Sequence, residues 1–449
     1  MKQKKHLLFN RVKSASDNKF DLLILFIYFL FTVFFFVHRS SFLDNPFTLF
    51  KLINDGELFV NANRYPAVIL QLLPMAGIKL GLPLKVLMFL QSLGYFLFHA
   101  TIFFLIRNWI KDRAFSWLVL LGMIIPVMHT FFWNNNELFL GLTSLCFWIA
   151  CMRKGYFVTG LLTALIIAWL HPLLLVIVLL ITVGSLVTKD VKIRTLLPNI
   201  TTYAISYFIK GRYFPNYYDK SKRNQLFENI IAGDIETHTI IENFLSLNYW
   251  PIFLSVAIAF IVLLKYRKWL LGLLLVGFSL CYLLLTNLAK IDAEYVFYSE
   301  GNYRVLFFVA GFLLIFSGVL DGIKRLHYLL VPLLIAGFVR IALVSNFYTE
   351  RIFWYQELAK SNDRTVFSYG AQTNSKLIQS WASPFESIVL STIAGESCTI
   401  VFTDNISELE SEISTNRQMI TNKGKFLTYN PANGYFILKD RSYRRGHHN

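Results

Sequence analysis

Long runs of apolar residues, separated by short polar stretches, extend along the chain as far as Asn346. A helix needs about 20 mostly apolar residues to cross the hydrocarbon core of a bilayer. The runs therefore predict an all-α polytopic membrane protein with about ten or eleven transmembrane helices. The predicted spans lie near residues 21–38, 84–108, 114–132, 137–152, 155–170, 172–187, 195–209, 251–265, 269–286, 303–320 and 327–346.

Two apolar segments need a separate interpretation. The first run, 20–37, follows a basic N-terminus and lacks a small-residue cleavage site, so it predicts a retained helix and not a removed signal peptide. Residues 66–82 contain Pro66, Pro74 and Lys79, which are unusual in a clean span. We interpret this segment as interfacial or re-entrant.

The pattern changes after the last predicted span, where apolar and polar stretches alternate over shorter distances. Strand-like stretches at 364–370 and 398–403 flank a helical pattern at 375–395. About 90 residues are enough for one modest core. The chain therefore divides into a transmembrane helical domain, 1–348, and a small C-terminal α/β domain with a basic tail, 349–449.

Composition strengthens the membrane interpretation. Hydrophobic residues make up 55% of the chain and charged residues 16%, with a mean hydropathy of +0.51. Soluble domains carry about 25% charged residues, so this chain needs lipid as its solvent. The net charge of +16 does not indicate nucleic-acid binding, because the basic residues lie between apolar runs and not on a soluble domain. The four cysteines support neither a disulfide framework nor a four-thiolate zinc site.

The charges of the short loops predict an orientation. With the N-terminus in the cytoplasm, every second connection is short and basic, as the positive-inside rule requires. The C-terminal region and two long loops, 39–65 and 210–250, then lie on the extracytoplasmic side of the cell inner (plasma) membrane. The predicted cytoplasmic connections are 107–113, 153–154, 189–194, 265–268 and 323–325.

Acidic residues in the first long loop are the first candidates for chemistry. Asp44, Asp55 and Glu57 follow the first span, and Gly56 allows a tight turn between the last two. Such a pair can flank a divalent cation, Mg²⁺ or Mn²⁺, or supply a general base and the group that orients it. The spacing alone is more typical of ordinary acids on a solvated loop.

The position of this loop resembles that of the membrane glycosyltransferases of the GT-C superfamily. Those proteins have a cytoplasmic N-terminus, one span and then a long outer loop with an acidic motif. The run from Asp55 through Arg64-Tyr65-Pro66 to Leu73-Pro74 is similar to their approach to the second span. The likeness in layout covers roughly residues 20–190, including GYFVTGLLTALIIAWLHP.

The resemblance implies transfer of a sugar from a polyprenyl-phosphate or polyprenyl-diphosphate donor to a glycan, lipid or protein acceptor of the cell envelope. A carboxylate must deprotonate or orient the acceptor hydroxyl, and the resemblance makes Asp55 the first candidate and Glu57 the second. Cationic groups or a metal held by the same pair must stabilise the departing phosphate. The membrane lipid and the spans themselves accommodate the lipid tail.

Further residues at the predicted outer ends of the spans are candidates for substrate binding. Arginine suits phosphate, and ionisable groups at membrane depth are functional candidates by default. Each also has a structural interpretation, such as an interfacial arginine or an acid that complements a helix N-terminus. The candidates are Arg64, Glu137, His171, Glu300 and Arg304.

Three other functions fit the same pattern. A transporter or flippase of a lipid-linked substrate is one, although no repeat relates the two halves of the chain. An O-antigen-type polymerase or ligase shares the lipid donor but relies on arginines in a late outer loop. A non-catalytic envelope scaffold is the third. No nucleotide-binding, zinc-protease or serine-hydrolase motif occurs in the sequence.

Overall fold

The computed structural model confirms the helical class. It describes residues 19–232, 248–288, 296–322, 326–361, 364–367, 381–402, 419–422, 425–428, 434–436 and 444–445. About 81% of this structure is helical, and sheet is nearly absent from the described residues. The basic N-terminus, part of the predicted loop 210–250, the basic connection 323–325 and most of the C-terminal tail lie outside the described residues.

The first loop is built from short helices. A first helix, α1, covers 19–34 and matches the first predicted span, and a five-residue helix extends it to Ser40. The apolar segment 66–82 is broken into a 3₁₀ turn and a short helix, because prolines interrupt it. The elements are α2 (Phe36–Ser40), α3 (Asp44–Asp55), a 3₁₀ turn (Tyr65–Gln71) and α4 (Leu72–Lys79).

The predicted span 114–132 is not one helix. The helix α6 (Arg113–Gly122) ends early, and a 3₁₀ turn (His129–Phe131) follows after an irregular stretch. Pro126 lies in that stretch and cannot donate a helical hydrogen bond. The backbone amides of residues 128–130 are therefore available to side chains from elsewhere in the fold.

The remaining predicted spans are helices with small changes in their bounds. The last one, predicted at 327–346, continues to Ser361 and so passes the predicted domain boundary at 348. The helices are α5 (Leu84–Phe104, continued by a π turn, Leu105–Ile110), α7 (Glu137–Lys154), α8 (Phe157–Ala168), α9 (Leu174–Thr188), α10 (Ile193–Tyr213), α11 (Tyr217–Ala232), α12 (Trp250–Lys265), α13 (Trp269–Leu288), α14 (Val296–Phe316) and α15 (Leu326–Ser361).

Within the described residues, four helical stretches are long and apolar enough to cross a membrane. Four further apolar helices are shorter, namely α6, α8, α9 and α12. Long apolar helices packed side by side give the chain the character of a membrane protein. The long stretches are Leu84–Ile110, Trp269–Thr286, Val296–Phe316 and Leu330–Lys360.

The central helix of the bundle is α14, most of whose side chains are buried. Glycines allow α6 to approach it closely, since a Cβ atom at Gly122 would lie 2.3 Å from the Phe308 ring and one at Gly311 would lie 2.4 Å from Leu118. Small residues at such crossings are typical of helices packed in lipid. Close packing at these two glycines holds α14 against α6.

Polar contacts occur at two opposite ends of the bundle. One end, here named the turn end, contains the connections 105–113, 153–156 and 189–192. The other, named the loop end, contains the first long loop, the corner 128–136 and the segments that follow α8 and α10. Hydrogen bonds and ion pairs join segments within each end, as in Arg153–Asp112 and Arg64–Glu137 respectively. Which end faces the cytoplasm stays a prediction.

The C-terminal region contributes one helix, α16 (Ser383–Ile393), and short strands. The buried residues of α16 share a hydrophobic cluster with α3 and α5, including Phe385 with Phe50 and Leu87. A separate C-terminal α/β domain therefore stays a prediction. The strands are β1 (Arg364–Phe367), β2 (Thr399–Phe402), β3 (Met419–Asn422), β4 (Lys425–Thr428) and β5 (Arg444–Arg445), arranged as a parallel sheet β2-β1-β5 and an antiparallel pair β3-β4.

Candidate functional site

The first loop turns sharply into α3 at Leu43. This residue has φ 54° and ψ −120°, a conformation that non-glycine residues rarely adopt. Glu386 accepts a hydrogen bond from the Leu43 N–H at 2.8 Å, and Arg351 donates one to the Ser41 carbonyl at 2.7 Å. Side chains of α15 and α16 therefore hold the turn that places Asp44 at the start of α3.

Glu386 and Arg351 form a buried ion pair behind this turn. Their closest oxygen and nitrogen are 2.6 Å apart, and the side chains are 0% and 1% exposed. The Tyr355 hydroxyl donates to the second carboxylate oxygen of Glu386 at 2.8 Å. Because a buried charge is costly without its partner, this pair ties the C-terminal helix firmly to the first loop.

Asp44 is a half-buried carboxylate at the loop end of the bundle. The Trp133 indole N–H donates to its Oδ2 at 3.0 Å. The corner 133–136 is further bound to α3, because Asn135 donates to the Thr48 hydroxyl at 2.5 Å and its N–H donates to Asn45 at 2.9 Å. The N-terminus of α3 also favours a negative charge at this position. Asp44 is thus held in one orientation by groups from two segments.

Arg64 joins three segments of the loop end. It forms ion pairs with Glu137, at the start of α7, at 3.1 Å and with Asp219, on α11, at 3.2 Å. Burial lowers the pKa of Arg64, but the two carboxylates outweigh it, and the net direction is upward. Arg64 and Glu137, both predicted from the sequence, therefore meet, and Asp219 completes their network.

His171 lies between α8 and α9, close to this network. Burial, together with the charges of Arg64 and Lys210, lowers the pKa of His171 well below its usual range. Its Nδ1 accepts a hydrogen bond from the Leu173 N–H at 3.3 Å. Lys210 donates to the Trp169 carbonyl at 3.1 Å. His171 is therefore neutral at physiological pH and lies near the buried side chains of Arg64 and Lys210.

Glu300 is fully buried on α14 and binds the irregular stretch after α6. It accepts hydrogen bonds from the backbone N–H groups of Met128, His129 and Thr130 at 2.6, 3.0 and 3.0 Å. The Thr130 hydroxyl donates to the same carboxylate at 2.5 Å. Four donors thus surround the negative charge of Glu300, which fixes the corner that carries Trp133.

Arg304 lies one helical turn after Glu300 and is 1% exposed. Its Nη2 donates to the Thr130 hydroxyl, and its guanidinium carbon lies 4.1 Å from the centroid of the Phe139 ring. The hydroxyl of Thr130 therefore connects Arg304 to Glu300. Both residues were predicted as site residues at the mouth of a span, whereas the structure places them inside the bundle.

Arg39 is a second arginine buried near the loop end. It is 0% exposed and donates from Nε to the Asn134 side-chain oxygen at 3.0 Å. Its guanidinium carbon lies 4.5 Å from the centroid of Phe131 and 5.4 Å from that of Tyr95. A basic residue at the border of an apolar run looks like an interfacial arginine in the sequence, so its burial was not predicted.

Asp55 and Glu57 lie apart from these groups, on the exposed end of α3. Asp55 pairs with Lys51 at 2.5 Å and accepts a hydrogen bond from Asn54 at 2.9 Å. Glu57 is exposed after the left-handed Gly56, which has φ 68° and ends the helix. Among the described residues no group of three or more His, Cys, Asp or Glu side chains is arranged to hold a metal ion.

No protein-family model, no curated protein and no solved structure matches this chain. The likeness to GT-C glycosyltransferases therefore stays a prediction from the layout of the sequence. The functional argument depends on the geometry of the loop end and on two of its residues. The sequence analysis named Asp44 among the loop acids without assigning it a role, and it did not name Arg39. An acid directly after the first span was the one available signal for Asp44.

Proposed function

We propose that the chain is a membrane glycosyltransferase that moves a sugar from a polyprenyl-phosphate-type lipid donor to an envelope acceptor on the extracytoplasmic face. The observation that carries this proposal is the position of Asp44. A half-buried carboxylate from the first loop is held at one end of an apolar helical bundle, beside a corner that also contacts a buried arginine. Acid, cation and lipid-facing surface are the three requirements of such a reaction.

Asp44 is the best candidate for the general base. A base must be oriented toward the acceptor hydroxyl, and Asp44 is fixed by Trp133 and by the start of α3. Asp55, the first candidate from the sequence, is exposed and already paired with Lys51. Glu57 is also exposed. The geometry therefore favours Asp44 for the role that the resemblance gave to Asp55.

The cationic residues of the loop end have different roles in this proposal. The charge of Arg64 is balanced by Glu137 and Asp219. Arg64 is therefore better suited to holding segments of the site together than to binding a phosphate. Arg304 donates to a hydroxyl and faces an aromatic ring, so its charge is available to a donor phosphate. His171 and Glu300 act by holding the surrounding segments.

Exposed apolar side chains on the helices next to this end supply a surface for the lipid tail. On α8, Val158 and Leu162 are 66% and 57% exposed, and on α10, Ile205 and Phe208 are 55% and 67% exposed. Apolar side chains exposed in this proportion are unusual on a protein surrounded by water. A polyprenyl chain in the bilayer would lie along such a surface, with its phosphate near the loop end.

The orientation is part of the proposal. Three of the short basic connections, 107–113, 153–154 and 189–194, lie at the turn end. We propose that this end faces the cytoplasm of the inner (plasma) membrane and that the loop end meets donor and acceptor outside. The residues present fit a divalent cation poorly, because the Lys51 ammonium group lies against Asp55. We therefore derive no step through Mg²⁺ or Mn²⁺.

A direct comparison of two variants tests the assignment. Membranes that contain the full chain are given a radiolabelled polyprenyl-phosphate sugar, and label transferred to envelope material is measured. We expect Asp44→Asn to lower transfer about 100-fold or more, since loss of a general base costs about 10² to 10⁴ in rate. We expect Asp55→Asn to keep transfer within about twofold, as for a surface change.

Protein abundance in the membrane is measured for both variants, so that a loss of folding is not taken for a loss of chemistry. The reverse result, with Asp55→Asn inactive and Asp44→Asn active, returns the role to the acid predicted from the sequence. Folded wild-type chain that transfers no sugar from any polyprenyl-phosphate donor, but moves the lipid across vesicles, refutes the transferase proposal in favour of a flippase.

A further inference from the structure

Two arginines on different helices are buried close to the same aromatic residues. Arg39 of α2 and Arg304 of α14 are 0% and 1% exposed. The Tyr95 ring of α5, which Arg39 faces, lies 6.1 Å from the Phe139 ring of α7, which Arg304 faces. Arg39 lies over Tyr95 and Arg304 lies over Phe139, whose ring is 4.2 Å from that of His99. The two cations therefore border one region between α2, α5, α7 and α14.

The guanidinium groups keep unused donors in this region. Nη1 and Nη2 of Arg39, and Nε and Nη1 of Arg304, have no hydrogen-bond partner among the described residues. Arg304 also has the Tyr95 hydroxyl as a hydrogen-bond partner, which leaves Nε and Nη1 as its two nitrogens without one. Leaving a buried charged donor unpaired costs more than leaving a neutral one, so four such atoms call for an acceptor.

The nearby carboxylate does not supply that acceptor. Glu300 already accepts from three backbone amides and the Thr130 hydroxyl, and it reaches Arg304 only through that hydroxyl. In the described part of the chain, no ion pair joins Arg39 or Arg304 to an acid, whereas Arg351 has Glu386 at 2.6 Å. Two buried positive charges beside one occupied negative charge leave a surplus that an apolar bundle tolerates poorly.

Arg64 and Arg351 also keep guanidinium nitrogens without a hydrogen-bond partner, but each has a carboxylate within ion-pair distance. A further buried arginine has its donors on backbone carbonyls. Arg340 donates from Nη1 to the Ile125 carbonyl at 3.1 Å and from Nη2 to the Asn248 carbonyl at 2.5 Å. Both terminal nitrogens of its guanidinium group therefore donate to backbone carbonyls. Arg39 and Arg304 differ from it because their free donors border the same aromatic residues.

We propose that Arg39 and Arg304 together bind one phosphate-type oxyanion. Two guanidinium forks can share the oxygens of a tetrahedral anion, which matches their planar donors better than it matches an ammonium group. Asn134, which bonds Arg39, is next to Trp133, which bonds Asp44, so the anion site lies beneath the corner that holds the proposed base. The phosphate comes from a lipid headgroup or from solution.

Binding of inorganic phosphate is independent of the proposed function, whereas binding of a lipid phosphate rests on it. Purified full-length chain in detergent is tested with two probes, inorganic phosphate and farnesyl phosphate. We expect the wild type to bind phosphate saturably and to release one phosphate per chain when a sample isolated in phosphate buffer and then washed is denatured. Tighter binding of farnesyl phosphate assigns the site to a lipid headgroup, and equal binding assigns it to free phosphate.

Variants locate the site. Arg39→Lys and Arg304→Lys keep the charge but remove the fork, and we expect each to weaken phosphate binding about tenfold or more, as expected from loss of charged hydrogen bonds. The matched control is Arg153→Lys, because Arg153 is an arginine of the turn end that is paired with Asp112 and Asp190. We expect this control to bind phosphate as the wild type does.

Two results overturn the inference. One is a wild-type chain that retains no phosphate and binds neither probe, which means that only water fills the region; this measurement does not depend on the folding of any variant. The other is phosphate binding that both lysine variants keep within about twofold of wild type, against the tenfold loss expected above. Phosphate binding without sugar transfer leaves the anion site intact and refutes only the proposed function.

Discussion

The two ends of the helical bundle differ in how their arginines are paired. At the turn end, Arg153 pairs with Asp112 at 2.6 Å and with Asp190 at 2.5 Å, and Arg107 pairs with Asp21 at 2.6 Å. At the loop end, Arg39 and Arg304 have no acid within ion-pair distance among the described residues. An arginine paired with an acid of the same chain holds two segments together. Buried arginines without such an acid indicate that an anion from outside the chain balances their charge.

The loop end itself contains both kinds of arginine. Arg64 and Arg351 are neutralised, and each joins segments that are far apart in the chain, as the turn-end pairs do. Arg39 and Arg304 lie between these braces. The ion pairs of Arg64 and Arg351 can therefore be separated experimentally from the anion site. Removal of one of these pairs should lower the stability of the fold more than it lowers phosphate binding.

The largest effect is expected from breaking the Arg351–Glu386 pair. Glu386→Gln leaves Arg351 buried without a counter-charge, which costs about 3–5 kcal/mol. The same change weakens the hold on the Leu43 turn and so the position of Asp44. Thermal unfolding of the purified chain in detergent measures the loss. We expect the double variant Arg351→Met with Glu386→Leu to recover most of it, because no buried charge is then left alone.

A loss below about 1 kcal/mol in Glu386→Gln would mean that the pair is not buried as described, since that is the range of exposed ion pairs. It would also remove the argument that α16 braces the first loop. The outcome bears on the predicted C-terminal domain, because a domain that folded by itself would lose this contact without unfolding the helical bundle.

Much of the helical architecture could be predicted from the sequence, because apolar runs of about 20 residues rarely form anything other than membrane-spanning helices. The segment 114–132 was predicted wrongly as one helix, because its apolar run was given more weight than Pro126, which lies where the helix is broken. The pairing of Arg64 with Asp219, 155 residues apart in the chain, could not be predicted. A charge next to an apolar run looks the same in sequence whether it faces lipid headgroups or the core, which is why Arg39 was missed.

A smaller effect is expected at the turn end. Arg153→Met leaves Asp112 and Asp190 without their shared partner, but the Arg153 side chain is 19% exposed, so water partly replaces it. We expect a loss of about 1–3 kcal/mol in unfolding free energy, the range for unsatisfied part-buried polar groups. Phosphate binding should stay unchanged. The exposed neighbour in Lys154→Met is the control, with an expected change within about 0.5 kcal/mol.

The smallest effect is expected from the Lys51–Asp55 pair on the surface of α3. These residues are one helical turn apart, and their side chains are 18% and 37% exposed. Such pairs contribute about 0.3–0.5 kcal/mol, so Lys51→Met and Asp55→Asn should each change the unfolding free energy by about that amount. A double-variant cycle measures the coupling between them. Because the Lys51 ammonium group is bound to the Asp55 carboxylate, Mg²⁺ at millimolar concentration should not raise the unfolding free energy of the wild type.

A clear stabilisation by Mg²⁺ that Asp55→Asn abolishes would contradict this ranking. It would show that Asp55 is a metal ligand, as the sequence predicted for the first loop.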